Sequence, residues 1–146
     1  MDKIEEILSS GGAVVLPTET VYGLFCKALD EQAVSHVYDL KGRPREKALN
    51  LNVSSLEEIY QFSKHQPQYL KKLYQAFLPG PLTIILQANE QVPIWVNSGM
   101  KTIGFRVPSH PKTLDLIRKF GPLIGPSANL SGKSSGVHFQ QIMTDF

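Results

Sequence analysis

The sequence predicts an α/β (α+β) fold, a mixed β-sheet with helices packed on it, and three observations carry that reading. Short apolar runs of strand type are interleaved with segments whose apolar residues recur at helical spacing. Several connections are short and hairpin-like, which an all-parallel sheet does not permit. The 146 residues, 42% hydrophobic and 19% charged, suffice for one domain with its own core, and no repeat, low-complexity tract or linker divides them.

Residues 2–10 carry Ile4, Ile7 and Leu8 at helical spacing, with Gly11-Gly12 as the stop. Residues 13–16 form an apolar run of buried-strand type ending at Pro17, and Thr18-Glu19-Thr20 puts hydroxyls and a carboxylate directly after it. Asp30 suits the N-cap of a helix through Leu40, with Ala33, Val34, Val37 and Tyr38 on one face. Leu49, Leu51 and Val53 alternate with Asn50 and Asn52, the pattern of a half-buried strand. Ser54-Ser55-Leu56-Glu57 has capping-box spacing for a short helix. Pro67 opens another, with Leu70, Leu73, Tyr74 and Phe77 inward, and Pro79-Gly80-Pro81 ends it. Residues 82–87 return as a strand, 93–96 are short and extended, and Asn97-Ser98-Gly99 is a turn. A strand over 102–107, a helix over 111–120 and a strand over 123–125 follow. A polar loop over 126–132 precedes an amphipathic helix that begins at His138, with Phe139, Ile142, Met143 and Phe146. No cap follows Phe146, so the domain, residues 1–146, is expected to be cut short at its C-terminal end.

Composition excludes several function classes. A formal net charge of +2 is too mild to argue for nucleic acid or membrane. No apolar run approaches the roughly 20 residues that span a bilayer, and the N-terminus lacks secretory character, so no membrane partner is expected. The one cysteine, Cys26, allows no internal disulfide and suits a reducing compartment, with the cytoplasm as the expectation. Four scattered histidines show no zinc spacing, and neither common glycine-rich phosphate loop occurs. Cys26 and Trp95 read as packing residues, and His36 and His138 as structural or surface ones.

Lys41-Gly42-Arg43-Pro44-Arg45-Glu46-Lys47 holds four cations in seven residues, with Gly42 and Pro44 against a regular helix. Isolated buried cations are costly, so this run either points into water, the ordinary case for a charged loop, or converges on an anion. Polar groups recur directly after apolar strands: Thr18-Glu19-Thr20, Arg106 before Pro108, and Ser127-Ala128-Asn129. Open α/β sheets hold ligands at strand ends. Hydroxyls, an amide and backbone N–H groups there, facing Lys41, Arg43 and Lys47, would cradle an anion. Such a set suits a nucleotide and an amino acid, with catalysis by positioning and charge neutralisation. Each loop taken singly also reads as an ordinary turn.

Pro17-Thr18-Glu19-Thr20-Val21-Tyr22-Gly23-Leu24, Lys41-Gly42-Arg43-Pro44, Pro79-Gly80-Pro81-Leu82-Thr83, Arg106-Val107-Pro108 and Ser127-Ala128-Asn129-Leu130-Ser131-Gly132 follow one another as in the Sua5/YrdC/YciO family. The chain resembles that family over nearly its whole length. The resemblance implies a twisted mixed sheet flanked by helices around a basic concave site, YrdC/RibB-like in form. It implies L-threonylcarbamoyladenylate synthase activity, which consumes L-threonine, bicarbonate and ATP and releases pyrophosphate. The product would supply the t6A modification at adenosine 37 of tRNA, with transfer done by partner proteins.

By the same resemblance Lys41 and Arg43 are the catalytic cations. ATP would be held by Lys41, Lys47, Arg106, Ser127, Ala128, Asn129 and Ser135, and threonine by Thr18, Arg43 and Asn52. Mg²⁺ would arrive on the ATP phosphates rather than on protein ligands. Arg45 and Glu46 are expected on the surface. Ala48 and Asn52 stand where the family commonly has Pro and His, and Asn52 can donate a hydrogen bond but cannot titrate near neutral pH. The competing reading is an RNA-binding module without synthase activity. Its basic concavity would grip phosphates, but the loop lacks interleaved aromatics.

Overall fold

The structure is a computed structural model that describes residues 2–18 and 22–126. Helix α1 (Lys3–Ser9) leads into β1 (Val14–Pro17) and β2 (Tyr22–Lys27), followed by α2 (Glu31–Lys41), β3 (Leu51–Asn52), α3 (Leu56–Phe62) and β4 (Ser63–Lys64). Then come α4 (Leu70–Phe77), β5 (Gly80–Ala88), the single turn α5 (Ile94–Asn97), β6 (Thr102–Val107), α6 (Pro111–Phe120) and β7 (Leu123–Ile124). Among the described residues the strands form one seven-stranded sheet in the order β1-β2-β7-β3-β6-β5-β4. β3 and β6 are parallel, and the other neighbours are antiparallel. The mixed sheet flanked by helices is therefore as expected.

Alternation along the strands loads both faces. Leu24 and Cys26 of β2, Leu51 of β3, Ile84 and Leu86 of β5, and Ile103, Phe105 and Val107 of β6 join one buried cluster. Helices α2, α3, α4 and α5 close it with Val34, Val37, Ile59, Phe62, Leu70 and Val96. Val14, Leu16, Phe25 and Leu123 point to the other face, where Leu8 of α1 and Leu116 and Ile117 of α6 cover them. Lys112 and Lys119 of α6 tie the two helices together, on Asp2 Oδ2 and Glu5 Oε2 respectively, each at 2.6 Å.

Local signals set most boundaries. Asp2 caps α1 and Asp30 caps α2, each accepting a backbone N–H three residues on. The cap of α3 is Ser55 rather than Ser54, and Glu58 reaches back to the Ser54 N–H, one residue later than the spacing predicts. Three expectations fail. Residues 93–96 are not extended: Pro93 starts the turn α5, because Trp95 Nε1 donates to Ala28 O at 2.9 Å and tertiary anchoring overrides the β-branched run. Phe77 is 57% exposed, since it closes a short helix beside the outer strands. The strand expected over 49–53 keeps only Leu51–Asn52, and Asn52 is buried rather than outward-facing. The polar loop over 126–132 beyond Pro126, the helix from His138, and Glu19 and Thr20 lie outside the described residues.

Candidate active site

The second face of the sheet changes character at one strand. Leu123 of β7 belongs to the apolar cluster under α1 and α6. Its register partner on β3 is Asn52, whose own parallel partner on β6 is Arg106. Paired residues share a face, so the side chains run from leucine to asparagine to arginine across three neighbouring strands. Asn52 is 8% exposed and its Nδ2 donates to Leu123 O at 3.3 Å. That bond satisfies one amide proton and fixes the side chain where the apolar cover stops.

A cavity of about 280 Å³ opens there. Thr18 from the end of β1, Arg43 from the loop after α2, Asn50 and Asn52 from β3 and its approach, and Arg106 from β6 supply its polar wall. Gly23, Gly125 and Pro126 supply much of the rest. A Cβ on either of these glycines would run into the Phe25 ring, so the cavity wall depends on bare backbone at both. A larger cavity, about 470 Å³, lies between α4 and β5 and is lined mainly by Tyr69, Leu70, Leu73, Leu82, Ile84 and Leu86. It lacks converging charged groups, so size alone does not mark the site.

Arg43 is held by the loop it sits in. Gly42 ends α2 in the left-handed region at φ 62°, where a glycine is least strained, and turns the chain back along the helix. Arg43 Nη2 then donates to Ala48 O at 2.9 Å and Nε to Lys47 O at a longer 3.4 Å. The Tyr38 hydroxyl donates to the same Lys47 carbonyl at 2.8 Å. Burial pushes the Tyr38 phenol above its ordinary value, with the neighbouring Arg43 opposing, so it keeps its proton at neutral pH. Arg106 is steadied through Nη2 to Pro81 O at 3.3 Å.

Of the site residues expected from sequence, Thr18, Arg43, Asn52 and Arg106 are brought to one cavity. Lys41 is not in a loop but in the last turn of α2, 3% exposed, and is absent from the cavity lining. Lys47 has an exposed side chain, and it is its carbonyl that faces Arg43. Ser127, Ala128, Asn129 and Ser135 lie outside the described residues. Arg45 is on the surface as expected, yet it is engaged. Its guanidinium lies 5.0 Å from the Tyr38 ring centroid and donates to Asp39 Oδ1 at 2.9 Å and Ser35 Oγ at 3.0 Å. Asn50 and Tyr22 line the cavity without having been singled out as site residues. The alternation of Asn50 with Leu49 and Leu51 was the available signal for the first.

Among the described residues no three His, Cys, Asp or Glu side chains gather as metal ligands. The cavity's donors are guanidinium, amide and hydroxyl, a set that fits anionic oxygens. No helix of the described residues is long and apolar enough to cross a membrane.

The chain is similar to known proteins in sequence and in fold. Residues 6–146 match the model of the Sua5, yciO and yrdC family, described as "Telomere recombination". A threonylcarbamoyl-AMP synthase of Pyrococcus abyssi is 39% identical over 140 residues, 95% of this chain and 41% of that protein. One of Bacillus subtilis is 37% identical over 141 residues, again 95% of this chain and 41% of the relative. The chain thus spans about two fifths of the length of these two curated relatives. The crystal structure of P. abyssi Sua5 complexed with L-threonine superposes with a TM-score of 0.91 at 38% identity, over 97% of this chain and 42% of that one. The crystal structure of Escherichia coli YciO does so with a TM-score of 0.75 at 31% identity, over 88% and 63%.

Proposed function

The chain belongs to the Sua5/YciO/YrdC family, and on that premise we propose that it carries the threonine- and ATP-handling centre of an L-threonylcarbamoyladenylate synthase. The observation that carries the reading is the meeting of Thr18, Arg43, Asn52 and Arg106, drawn from four separate segments, in one cavity. A volume of about 280 Å³ lies at the small end for ligand pockets. It suits an amino acid and the reacting end of a triphosphate rather than a whole nucleotide.

In this reading Arg43 takes the threonine carboxylate, while Thr18 and the Asn52 amide meet its polar groups. Bicarbonate takes up a proton and loses water to give CO₂. The neutral threonine amine attacks the CO₂ carbon, forming the N–C bond of a carbamate as one C–O π bond opens and the nitrogen releases a proton to solvent. A carbamate oxygen then attacks the α-phosphorus of ATP, the bond to the β-phosphate bridge breaks, and pyrophosphate leaves with the electron pair. Arg106 is placed to neutralise charge building on the phosphates, with Lys41 and Lys47 as further cations and Ser127, Ala128, Asn129 and Ser135 holding the nucleotide. Mg²⁺ would be carried by the phosphates and would supply further charge neutralisation. The product is an activated carbamate that other proteins transfer to tRNA.

The test is threonine- and bicarbonate-dependent pyrophosphate release from ATP. Release that needs all three substrates supports the reading. No release and no ATP binding, in an assay where the longer B. subtilis relative turns over, rejects it. Salt-sensitive tRNA binding without turnover would favour the RNA-binding module instead.

A further inference from the structure

The geometry points to Tyr38 as the positioning residue that aims the Arg43 guanidinium into the cavity, acting through the Lys47 carbonyl that both side chains share. The role assigned to Arg43 rests on the synthase reading; its orientation does not. Arg43 sits in a loop whose other charged side chains are exposed, and a free arginine of that length would sample many rotamers. Here two of its five N–H groups go to carbonyls of its own loop, Lys47 O and Ala48 O. Those carbonyls can orient the guanidinium only if the loop itself is held.

Tyr38 holds it. The side chain is 2% exposed on the buried face of α2, and its hydroxyl reaches out of the core to Lys47 O at 2.8 Å. Because the acceptor is a carbonyl, the phenol must be the donor, and its raised pKa preserves the proton it donates. The outer side of the same ring carries Arg45, whose carbonyl accepts from Ser98 Oγ at 2.8 Å. Ser98 lies in the left-handed region at φ 57°, in a turn pinned by buried Asn97, which donates to Met100 O and Thr102 O. The basic loop is therefore fastened to α2, through Tyr38 and through Arg45 on Asp39 and Ser35, and to the α5–β6 turn through Ser98. Arg43, just before the fastened residues, lines the cavity.

The decisive variant is Tyr38→Phe, which deletes one hydroxyl and keeps the ring under Arg45. We expect KM for threonine to rise about tenfold, the scale of one lost hydrogen bond, with kcat within about twofold. A purely structural tyrosine would lower the unfolding midpoint and leave that KM alone. Ser98→Gly, which keeps the left-handed backbone without strain, should raise the same KM less. If Tyr38→Phe does not fold, an unchanged KM in Ser98→Gly overturns the proposal.

A second readout needs no turnover. In ¹⁵N-resolved NMR, the Arg43 Nε–H signal should shift and exchange faster with water in Tyr38→Phe than in the unaltered chain. If the unaltered chain makes no pyrophosphate, the synthase reading fails, and this signal still decides where Arg43 points. An identical Arg43 signal in both chains overturns the positioning role.

Discussion

On the side of the sheet covered by α1 and α6 the strand residues are Val14, Leu16, Phe25 and Leu123. On the next two strands along the same face, and the approach to the first, they are Asn50, Asn52 and Arg106. Backbone, register and sheet run through the change unbroken. Among the described residues, what differs is whether apolar side chains of a helix lie above. Where Leu8, Leu116 and Ile117 seal the face, burial of carbon supplies stability and leaves nothing for a ligand to bind. Where that cluster stops, the same pleat presents hydrogen-bond donors to a cavity. Stability and chemistry are thus assigned to adjoining parts of one surface, and the two should come apart under mutation.

Arg43→Ala tests the separation most severely. Arg43 is half-buried at the cavity, and on the synthase reading loss of the guanidinium that takes the threonine carboxylate should lower kcat/KM on the order of 10²–10³-fold. The variant's unfolding free energy should fall by no more than about 1.5 kcal/mol, the scale of a hydrogen bond to the loop carbonyls. Near-normal pyrophosphate release in this variant would remove Arg43 from the site. Leu8→Ala is the mirror experiment. Leu8 is 0% exposed beneath α6, and its truncation should destabilise by about 2–5 kcal/mol. KM for threonine, measured well below the unfolding transition, should not move. A shifted KM would mean that the sealed half transmits strain into the cavity and that the division is false.

The sealed half was the more legible in sequence, for a physical reason. Its helices α1 and α6 are announced by period and by start signals at Asp2 and Pro111, and all those signals are local. The failures lie where a distant group decides. Trp95 bonds to Ala28 O, far back in the chain, and so α5 is a turn rather than a strand. The site was legible in part. Thr18 and Arg106 were named as polar residues after apolar strands and Arg43 as part of a dense basic run, the family resemblance added Asn52, and the cavity gathers all four. Lys41 was read as a loop cation because charge density says nothing about which way a side chain leaves the last turn of a helix. The fastening of Arg43 was hidden as well. It runs through the carbonyls of Lys47 and Ala48, and backbone acceptors leave no trace in residue identity.

A smaller effect comes from the core on the opposite face. Cys26 is fully buried, and burial, with the charge of Asp30 adding to it, pushes its thiol up to about 12. The fold therefore favours the protonated form. That contribution is whole below the unfolded-state pKa near 9 and is lost as pH rises toward 12. Urea midpoints should fall across that window, with Cys26 adding at most about 1.4 kcal/mol per pH unit. In Cys26→Ala the fall should be shallower. Equal slopes in the two proteins would show that the thiol does not stay protonated through folding.

The smallest expected effect tests whether α6 needs its charges to seal the face. Lys119 Nζ lies 2.6 Å from Glu5 Oε2, with side chains 53% and 17% exposed. A pair so open to water is screened and contributes about 0.2–1 kcal/mol. Lys119→Ala should lose that much at low ionic strength, and the difference should vanish at about 1 M salt, where screening acts over roughly 3 Å. The apolar contacts of Leu116 and Ile117 would then be what holds α6 on the sheet, the ion pair only setting its rotation. A loss that persists at high salt would not come from the charges, and would show that the aliphatic stem of Lys119 itself packs between α1 and α6 and adds to the buried carbon that seals the face.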